Sequence, residues 1–487
     1  MDFNSYIFIL LFLPLVLLGY YVLRLVRRVP LAQYWLILAS LVFIGYADVA
    51  YYSFLFVSAG VNFLCAFLQQ KISEKSLLKR LLMAFAIVGN VAILGYFKYS
   101  GFILANWNAY MGTEYIAKTL LVPIGISFWT FQQIAFQVDV NRGTISKLRL
   151  SDYLFYSFYF PKLVQGPIAK YQNLVSVFHD EERRKFNTDM FACGLWFFVV
   201  GLAKKVLVAD VLAAAVKWGY STSVDVMTSM DAMLVVLCYS LQIYFDFSGY
   251  SHMAVGVSKM LNIDIMDNFD APYQAKSIME FWKRWHISLT TFLREYIYFP
   301  LGGSKKGKVR TYLNTMIIFL LSGLWHGASW TYVVWGAMHG VASCLNRMFH
   351  KQWEKLSGVV RWLFTFIFVN ITWTFFRAPS VEYATKILGK VVRVDNRGVS
   401  DGLLETFRIT EFKYFAAKFD WFNDMLAGCK GLEMVIFVLT ALIISLNVKD
   451  RAEQFKPTVV KCVMTMVLFL WSVISLANVV EYIYGSF

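Results

Sequence analysis

YLNTMIIFLLSGLWHGASWTYVVWGAMHGVASCLN, Tyr312 to Asn346, contains no Asp, Glu, Lys or Arg. A spanning helix needs about 20 predominantly apolar residues, so this stretch reads as membrane-embedded. It is nevertheless too long for one ordinary span, with Arg310 before it and Arg347, Lys351 and Lys355 after it. Basic flanks mark the cytoplasmic side. Both ends therefore point the same way, and two half-crossings or a bent pair are expected, broken near Trp325-His326-Gly327. Ser322, Gly323, Gly327, Ala328 and Ser329 allow close approach at the break, and the glycines weaken the helix there.

Two histidines lie inside: His326 in Gly-Leu-Trp-His-Gly near the middle, and His339 in Met-His-Gly towards the end. A titratable ring at membrane depth has little water for its charged form, which makes it a site candidate by default. In a soluble core the same residue reads first as a packed ring satisfied by backbone carbonyls. The Gly/Trp-rich break favours the functional reading for His326. Both readings stay open for His339.

The surrounding chain has the same character. Its 487 residues are 58% hydrophobic and 16% charged, against about 25% charge in soluble domains. Apolar segments run throughout without a long polar block between them, so a single integral membrane domain over residues 1–487 is expected. The N-terminal MDFNSYIFILLFLPLVLLGYYVLRLVRR lacks a basic leader and a small-residue cleavage site, and reads as an uncleaved first span. The net charge is +15. Its basic residues fall between apolar segments rather than on one polar face, which argues for topology signals and against nucleic-acid binding. Cys65, Cys193, Cys238, Cys344, Cys429 and Cys462 show no CxxC and no metal-ligand spacing with histidine, so no metal site or disulfide framework is expected.

Taken in order, spans are expected at Tyr6 to Leu25, Tyr34 to Ala47, Tyr51 to Leu68 with a break near Asp48, Leu81 to Phe97, and Leu120 to Val138. A Gly/Asn-containing connector separates the last two. Arg24, Arg27 and Arg28 after the first span set the N-terminus outward. Segment 153–169 carries Pro161, Gly166 and Pro167 and should be broken or re-entrant. Met190 to Val208 and Met230 to Tyr250 follow, the second holding Asp246, whose structural role as partner of a basic side chain or Tyr hydroxyl is preferred to proton relay. Residues 281–297 place Phe281, Trp282, Trp285, Leu289, Phe292, Leu293 and Tyr296 on one stripe and are expected to lie as an interfacial amphipathic helix. His286 beside that stripe is a packing or a site residue. After the basic loop Gly302 to Arg310 and the histidine stretch come Trp362 to Phe376, a polar segment 377–430, and spans at Leu432 to Leu446 and Val459 to Val480, with Lys449 to Lys461 between them. The fold class is an all-α polytopic membrane protein with about ten to twelve spanning and re-entrant helices.

An intramembrane histidine without metal-ligand spacing suits proton transfer, because neutral imidazole can take a hydroxyl proton as the oxygen attacks an acyl carbon. No Gly-x-Ser-x-Gly elbow, P-loop, GxGxxG or His-Glu-x-x-His is present, so a covalent serine route lacks its parts. Rival classes are a transporter whose path runs through Asp246, His326 and Arg284, and a scaffold that only anchors a soluble acetyltransferase.

Several long motifs occur in order: PIGISFWTFQ (Pro123 to Gln132) with Asp139, FPKLVQGPI (Phe160 to Ile168), LQIYFDFSGYSHMAVG (Leu241 to Gly256), NFDAPY (Asn268 to Tyr273), FWKRWHISLTTFLREYIYFPLGG (Phe281 to Gly303) and GLWHGASWTYVVWGAMHG (Gly323 to Gly340). Together they resemble the membrane-bound O-acyltransferase family, in its bacterial branch of alginate O-acetylation and teichoic-acid D-alanylation proteins. The resemblance is carried by a core at about residues 120–345. It implies helices around a transmembrane tunnel with a catalytic histidine inside. His326 matches the signature histidine, and His286 the second histidine of the bacterial Trp-His-Ile-Ser motif. Trp325, Trp285, Asp246 and His339 are tunnel candidates. His252 departs from the pattern, where Asp is usual.

The implied reaction moves an acyl group, acetyl first, from a cytosolic thioester such as acetyl-CoA to a hydroxyl, without a bound cofactor. His326 is expected to be the general base, and His286 to assist or orient. The acceptor is an extracytoplasmic or cell-wall polysaccharide, or a carrier residue on a partner acetyltransferase protein outside. The alternative is D-alanyl transfer to teichoic acid from a carrier-protein thioester. Lys305, Lys306 and Arg310 are candidates to attract donor phosphates, against the plainer reading of a topology loop. The expected location is the bacterial cytoplasmic (inner) membrane.

Overall fold

The computed structural model describes residues 1–26, 29–46, 51–116, 120, 122–123, 125–429, 431–447, 452, 455–478 and 482–483. Arg27, Arg28, Asp48 and Lys449, used above for topology, lie outside these. The described residues form helices and connecting turns with no strand. Five helices are long and apolar enough to cross a membrane: Phe8–Leu25, Tyr52–Lys71, Leu77–Met111, Ser229–Met260 and Gly358–Arg377. Shorter apolar helices, Val29–Gly45, Leu432–Asn447 and Val459–Ile474, accompany them. Leu10, Leu18, Val57, Phe85 and Val88 stand exposed on the outer helices, as expected for faces turned to lipid. The chain is an all-α, multi-pass membrane protein.

Its axis is the 32-residue helix Ser229–Met260, buried along almost its whole length. A capping box starts it: the Thr228 hydroxyl accepts from the Asp231 N–H at 3.0 Å, and Asp231 accepts from the Thr228 N–H at 3.0 Å. Helix Thr188–Ala203 lies directly against it at two glycine pairs, Gly194 with Gly256 and Gly201 with Gly249. A Cβ on Gly201 would stand 2.5 Å from the Gly249 carbonyl oxygen, so only glycine permits this approach.

A second polar frame fixes the first half of the chain. Gln69 donates to Gln137 at 2.7 Å, Gln137 to the Asn62 carbonyl at 2.7 Å, and Asn90 to Asn62 at 2.9 Å. Where lipid supplies no hydrogen-bond partner, such amides must find one another. They lock Tyr52–Lys71, Leu77–Met111 and the inner helix Ile126–Asn141 together.

Several expected boundaries move. The span expected to end at Phe97 continues to Met111, because the Gly/Asn residues stay helical (Asn106 donates back to the Phe102 carbonyl at 2.7 Å) and the stop comes only at Gly112, with φ +65°. The expected span 120–138 is instead Ile126–Asn141, entered through Gly125 at φ +73°. At 16 residues it is about 24 Å long, short of the bilayer core. Segment 153–169 is broken as expected, into Leu150–Phe158 and Phe160–Leu163. The 377–430 segment contains helices of its own, including Val381–Val392, Thr410–Lys418 and Asp420–Gly428.

The interfacial helix expected at 281–297 is overturned. The segment forms Ile278–Arg284 and Ile287–Leu293, separated at Trp285 and His286. Phe281, Trp282, Trp285, Leu289, Phe292 and Leu293 are all buried in protein. The apolar stripe packs against neighbouring helices, and Ser288, a polar residue outside it, is also buried because Asn268 satisfies it.

Candidate active site

The histidine stretch is a hairpin. Helix Lys308–His326 ends at His326, and Trp330–Met348 begins after Gly327, Ala328 and Ser329, with the Ser329 hydroxyl capping the Thr331 N–H. The two helices run antiparallel at close range. A Cβ on Gly323 would meet the Tyr332 carbonyl oxygen at 2.3 Å, and one on Gly336 the Phe319 carbonyl oxygen at 2.4 Å. Gly327 likewise leaves room for the Tyr332 ring. The break expected from the small residues is thus where the chain reverses.

His326 is buried at this turn, edge-on to Trp325 (ring centroids 4.8 Å), Trp335 (5.2 Å) and Phe376 (5.0 Å). A narrow cavity reaches it between Lys98, Ser127, Phe128, Val164 and Trp325. The Lys98 amine donates to the Trp325 carbonyl at 2.7 Å, the His326 carbonyl at 3.3 Å and the Ser127 hydroxyl at 3.2 Å. Tyr99 donates to the Leu324 carbonyl. These carbonyls belong to the last turn of the helix, where intrahelical donors run out and cations are favoured. Sequence reasoning missed Lys98 because it closed that span at Phe97. The signal was a lone lysine directly after an apolar run.

His286 approaches the same indole from another element, with ring centroids 6.0 Å apart. Its backbone is left-handed, φ +47°, a conformation that costs a side chain about 1–2 kcal/mol. This turn breaks the helix and aims the ring inward. The Ile287 N–H donates to the Asn268 carbonyl at 3.0 Å and holds the turn closed. The Nδ1 of His286 lies 3.2 Å from Asn268 Oδ1, which also accepts from the Ser288 N–H at 3.1 Å and the Ser288 hydroxyl at 2.9 Å. Asn268 lies in the quoted NFDAPY motif but had been given no role.

The other candidates go elsewhere. His339 accepts from Trp282 Nε1 at 3.1 Å on Nδ1, so its Nε2 carries the proton and donates to the Thr372 hydroxyl at 3.0 Å. Both nitrogens are satisfied, as in a packed ring. Trp285 stacks among Phe269, Phe281 and Trp373. Asp246 accepts from Lys205 at 2.8 Å and from the Ile483 N–H at 2.9 Å, while Asp210 holds the same lysine at 2.9 Å. Arg284 is bound to Glu280 at 2.8 Å and to the Asp270 carbonyl. The path through Asp246, His326 and Arg284 is therefore not assembled. His252 faces Lys204 at 3.4 Å. Lys305 and Lys306 are exposed, and Arg310 reaches the Leu301 carbonyl. They sit at the opposite end of helix Lys308–His326 from His326, about 27 Å away along its axis. Among the described residues no three His, Cys, Asp or Glu side chains gather as metal ligands.

The chain is 36% identical to a peptidoglycan O-acetyltransferase of Helicobacter pylori, over 82% of this chain and 80% of that protein. It is 39% identical to a probable alginate O-acetylase of Pseudomonas putida, over 80% of each. A teichoic acid D-alanyltransferase of Bacillus subtilis is 28% identical over 48% of this chain and 61% of its own length. The model of the membrane-bound O-acyltransferase family matches residues 76–385, spanning the Lys98 helix, both histidines and the hairpin. The chain belongs to the membrane-bound O-acyltransferase family and is an acyltransferase.

Proposed function

We propose that this acyltransferase moves an acetyl group from a cytosolic thioester, acetyl-CoA or a carrier-protein thioester, to a hydroxyl for O-acetylation of an extracytoplasmic polysaccharide. The observation that carries the reading is the meeting of two buried imidazoles, His286 and His326, on one indole, Trp325, where the hairpin reverses. The acceptor oxygen attacks the thioester carbonyl carbon while its proton passes to His326. The tetrahedral intermediate collapses with cleavage of the C–S bond, and the proton goes to the departing sulfur. An O-acyl ester and a free thiol result. His286 orients the hydroxyl.

The peptidoglycan and alginate relatives, each matched over about four fifths of the chain, support a polysaccharide acceptor. The D-alanyl reading has a relative over less than half of it. A partner acetyltransferase protein completes the transfer outside. The reading sets the chain in the bacterial cytoplasmic membrane as one domain over residues 1–487, N-terminus outward. Its support is the meeting of two basic segments, 71–80 and 142–149, where Gln70 donates to the Ile145 carbonyl at 2.8 Å and Asn141 to the Lys79 carbonyl at 3.4 Å. Lys305, Lys306 and Arg310 then meet the donor phosphates.

The test is transfer of radiolabelled acetyl from acetyl-CoA in proteoliposomes, with fractionated cell-wall polysaccharide as acceptor. With cell-envelope extract added as the source of the partner protein, label should reach polysaccharide with wild type and fail with His326→Ala and His286→Ala. Unchanged transfer in both variants refutes the assignment. Label accepted only from a D-alanyl carrier-protein thioester replaces the donor.

A further inference from the structure

The hydrogen bonds around His286 fix which of its nitrogens carries the proton. The Ser288 backbone N–H can only donate, and it points at the Asn268 side chain at 3.1 Å. The atom there must be the amide oxygen, since the flipped amide would set NH2 against N–H. This oxygen also receives the Ser288 hydroxyl at 2.9 Å, and the amide nitrogen faces Ser251 Oγ at 3.4 Å. An oxygen that accepts cannot supply a proton to His286 Nδ1, 3.2 Å away. Nδ1 must therefore be the donor.

Nε2 is left with its lone pair. It is buried and has no hydrogen-bond partner among the described residues. Its ring is surrounded by Phe247 (ring centroids 4.7 Å), Trp325 (6.0 Å) and Phe128 (6.3 Å). The Trp325 indole N–H is turned away, to the Ser127 carbonyl at 3.4 Å. A doubly protonated ring would bury an unmatched N–H and a charge together, which is the costlier state. The described residues thus supply one acceptor to this imidazole and no donor, and a donor for Nε2 has to arrive with the substrate.

We propose that Asn268, oriented by Ser288, is a positioning residue that holds His286 in the Nδ1–H tautomer and so presents Nε2 to accept a hydrogen bond from a second donor group of the acceptor, beside the hydroxyl whose proton passes to His326. The inference rests on the acyl-transfer reading for its consequence, though not for its geometry. Chain connectivity enforces the arrangement, because the left-handed turn at His286 places Nδ1 and both donors of Ser288 on the same amide oxygen.

Two readouts test it on the full-length protein in proteoliposomes. The first is nitrogen NMR of imidazole-labelled protein, with the His286 signal identified by its loss in His286→Gln. Wild type should show a neutral ring protonated at Nδ1, Asn268→Asp should keep that tautomer, and Asn268→Leu should move the proton to Nε2. The second is acetyl transfer: Asn268→Leu should lower kcat at least tenfold with little change in the KM for acetyl-CoA, and Asn268→Asp should restore most of it. Asn268→Asp, close in shape to the native residue, guards against a misfolded Asn268→Leu variant. A wild-type ring protonated at Nε2, or a tautomer unmoved in folded Asn268→Leu, overturns the proposal. Equal loss of kcat in Asn268→Asp and Asn268→Leu also overturns it. The expected tautomers without any acetyl transfer by wild type would instead overturn the function and leave the positioning intact.

Discussion

Replacing Lys98 by Met should separate the stability of this protein from its activity. Donating to three acceptors requires all three protons of an ammonium, so Lys98 is held charged inside the helix bundle by Trp325 O, His326 O and Ser127 Oγ. Before lost hydration is counted, a hydrogen bond in an apolar medium is worth about 4–6 kcal/mol. The 2.7 Å bond to Trp325 provides most of what Lys98 gains, since the bonds at 3.2 and 3.3 Å lie near the limit of useful geometry. The gross loss in Lys98→Met is therefore about 4–6 kcal/mol. Against it stands the desolvation of the ammonium, itself several kcal/mol, which the thioether does not incur. The two nearly cancel, and a net loss of about 1–2 kcal/mol is expected. The carbonyls of Trp325 and His326 meanwhile lose the cation that holds the end of their helix. Unfolding in detergent should begin only slightly earlier, while kcat for acetyl transfer falls at least tenfold. Wild-type kcat in folded Lys98→Met would refute the claim that this lysine sets the position of His326. A collapse of folding with normal specific activity in the surviving fraction would refute the cancellation.

Other perturbations have distinct signatures. Asp246→Leu removes one of the two carboxylates on Lys205 and leaves the pair with Asp210; the lost charged hydrogen bond should destabilise by about 1.5–3 kcal/mol, measured by thermal unfolding in detergent, with the rate per folded molecule unchanged. His339→Leu deprives Trp282 Nε1–H of its acceptor, while the Thr372 hydroxyl keeps its bond to the Val369 carbonyl, and should cost about 1–3 kcal/mol while leaving the pH–rate profile in place. In the loop after the central helix, burial alone would raise the Asp264 carboxyl, but hydrogen bonds and charge from Lys259 and Arg183 outweigh it and hold it below the usual value. The folded protein thus binds that proton more weakly than the unfolded chain. The stabilisation is complete above the ordinary carboxylate pKa of about 3.9 and is lost as pH falls through the depressed value. Acid unfolding should therefore be less steep in Asp264→Asn than in wild type, by a modest amount because the carboxylate is 39% exposed.

The amino-acid sequence alone determined the class of this protein and one end of its site. Long charge-free apolar runs admit only a membrane solution, because backbone polar groups in lipid must be satisfied within helices. The reversal at Gly327 followed from small residues and basic flanks, and His326 from its depth. The tertiary structure decided the rest, because hydropathy reports partition and not partner. The 281–297 stripe has the same periodicity whether it faces lipid or protein, and only packing showed it buried and broken at His286. Depth alone left both readings open for His339 and could not name the partner that the preferred structural role of Asp246 required. Trp282 and Thr372 turn the first into a packed ring, and Lys205 makes the second an ion-pair partner. Lys98 is 228 residues from His326 and Asn268 is 18 from His286. No local pattern encodes either pairing, since each exists only after separate segments of the chain have packed.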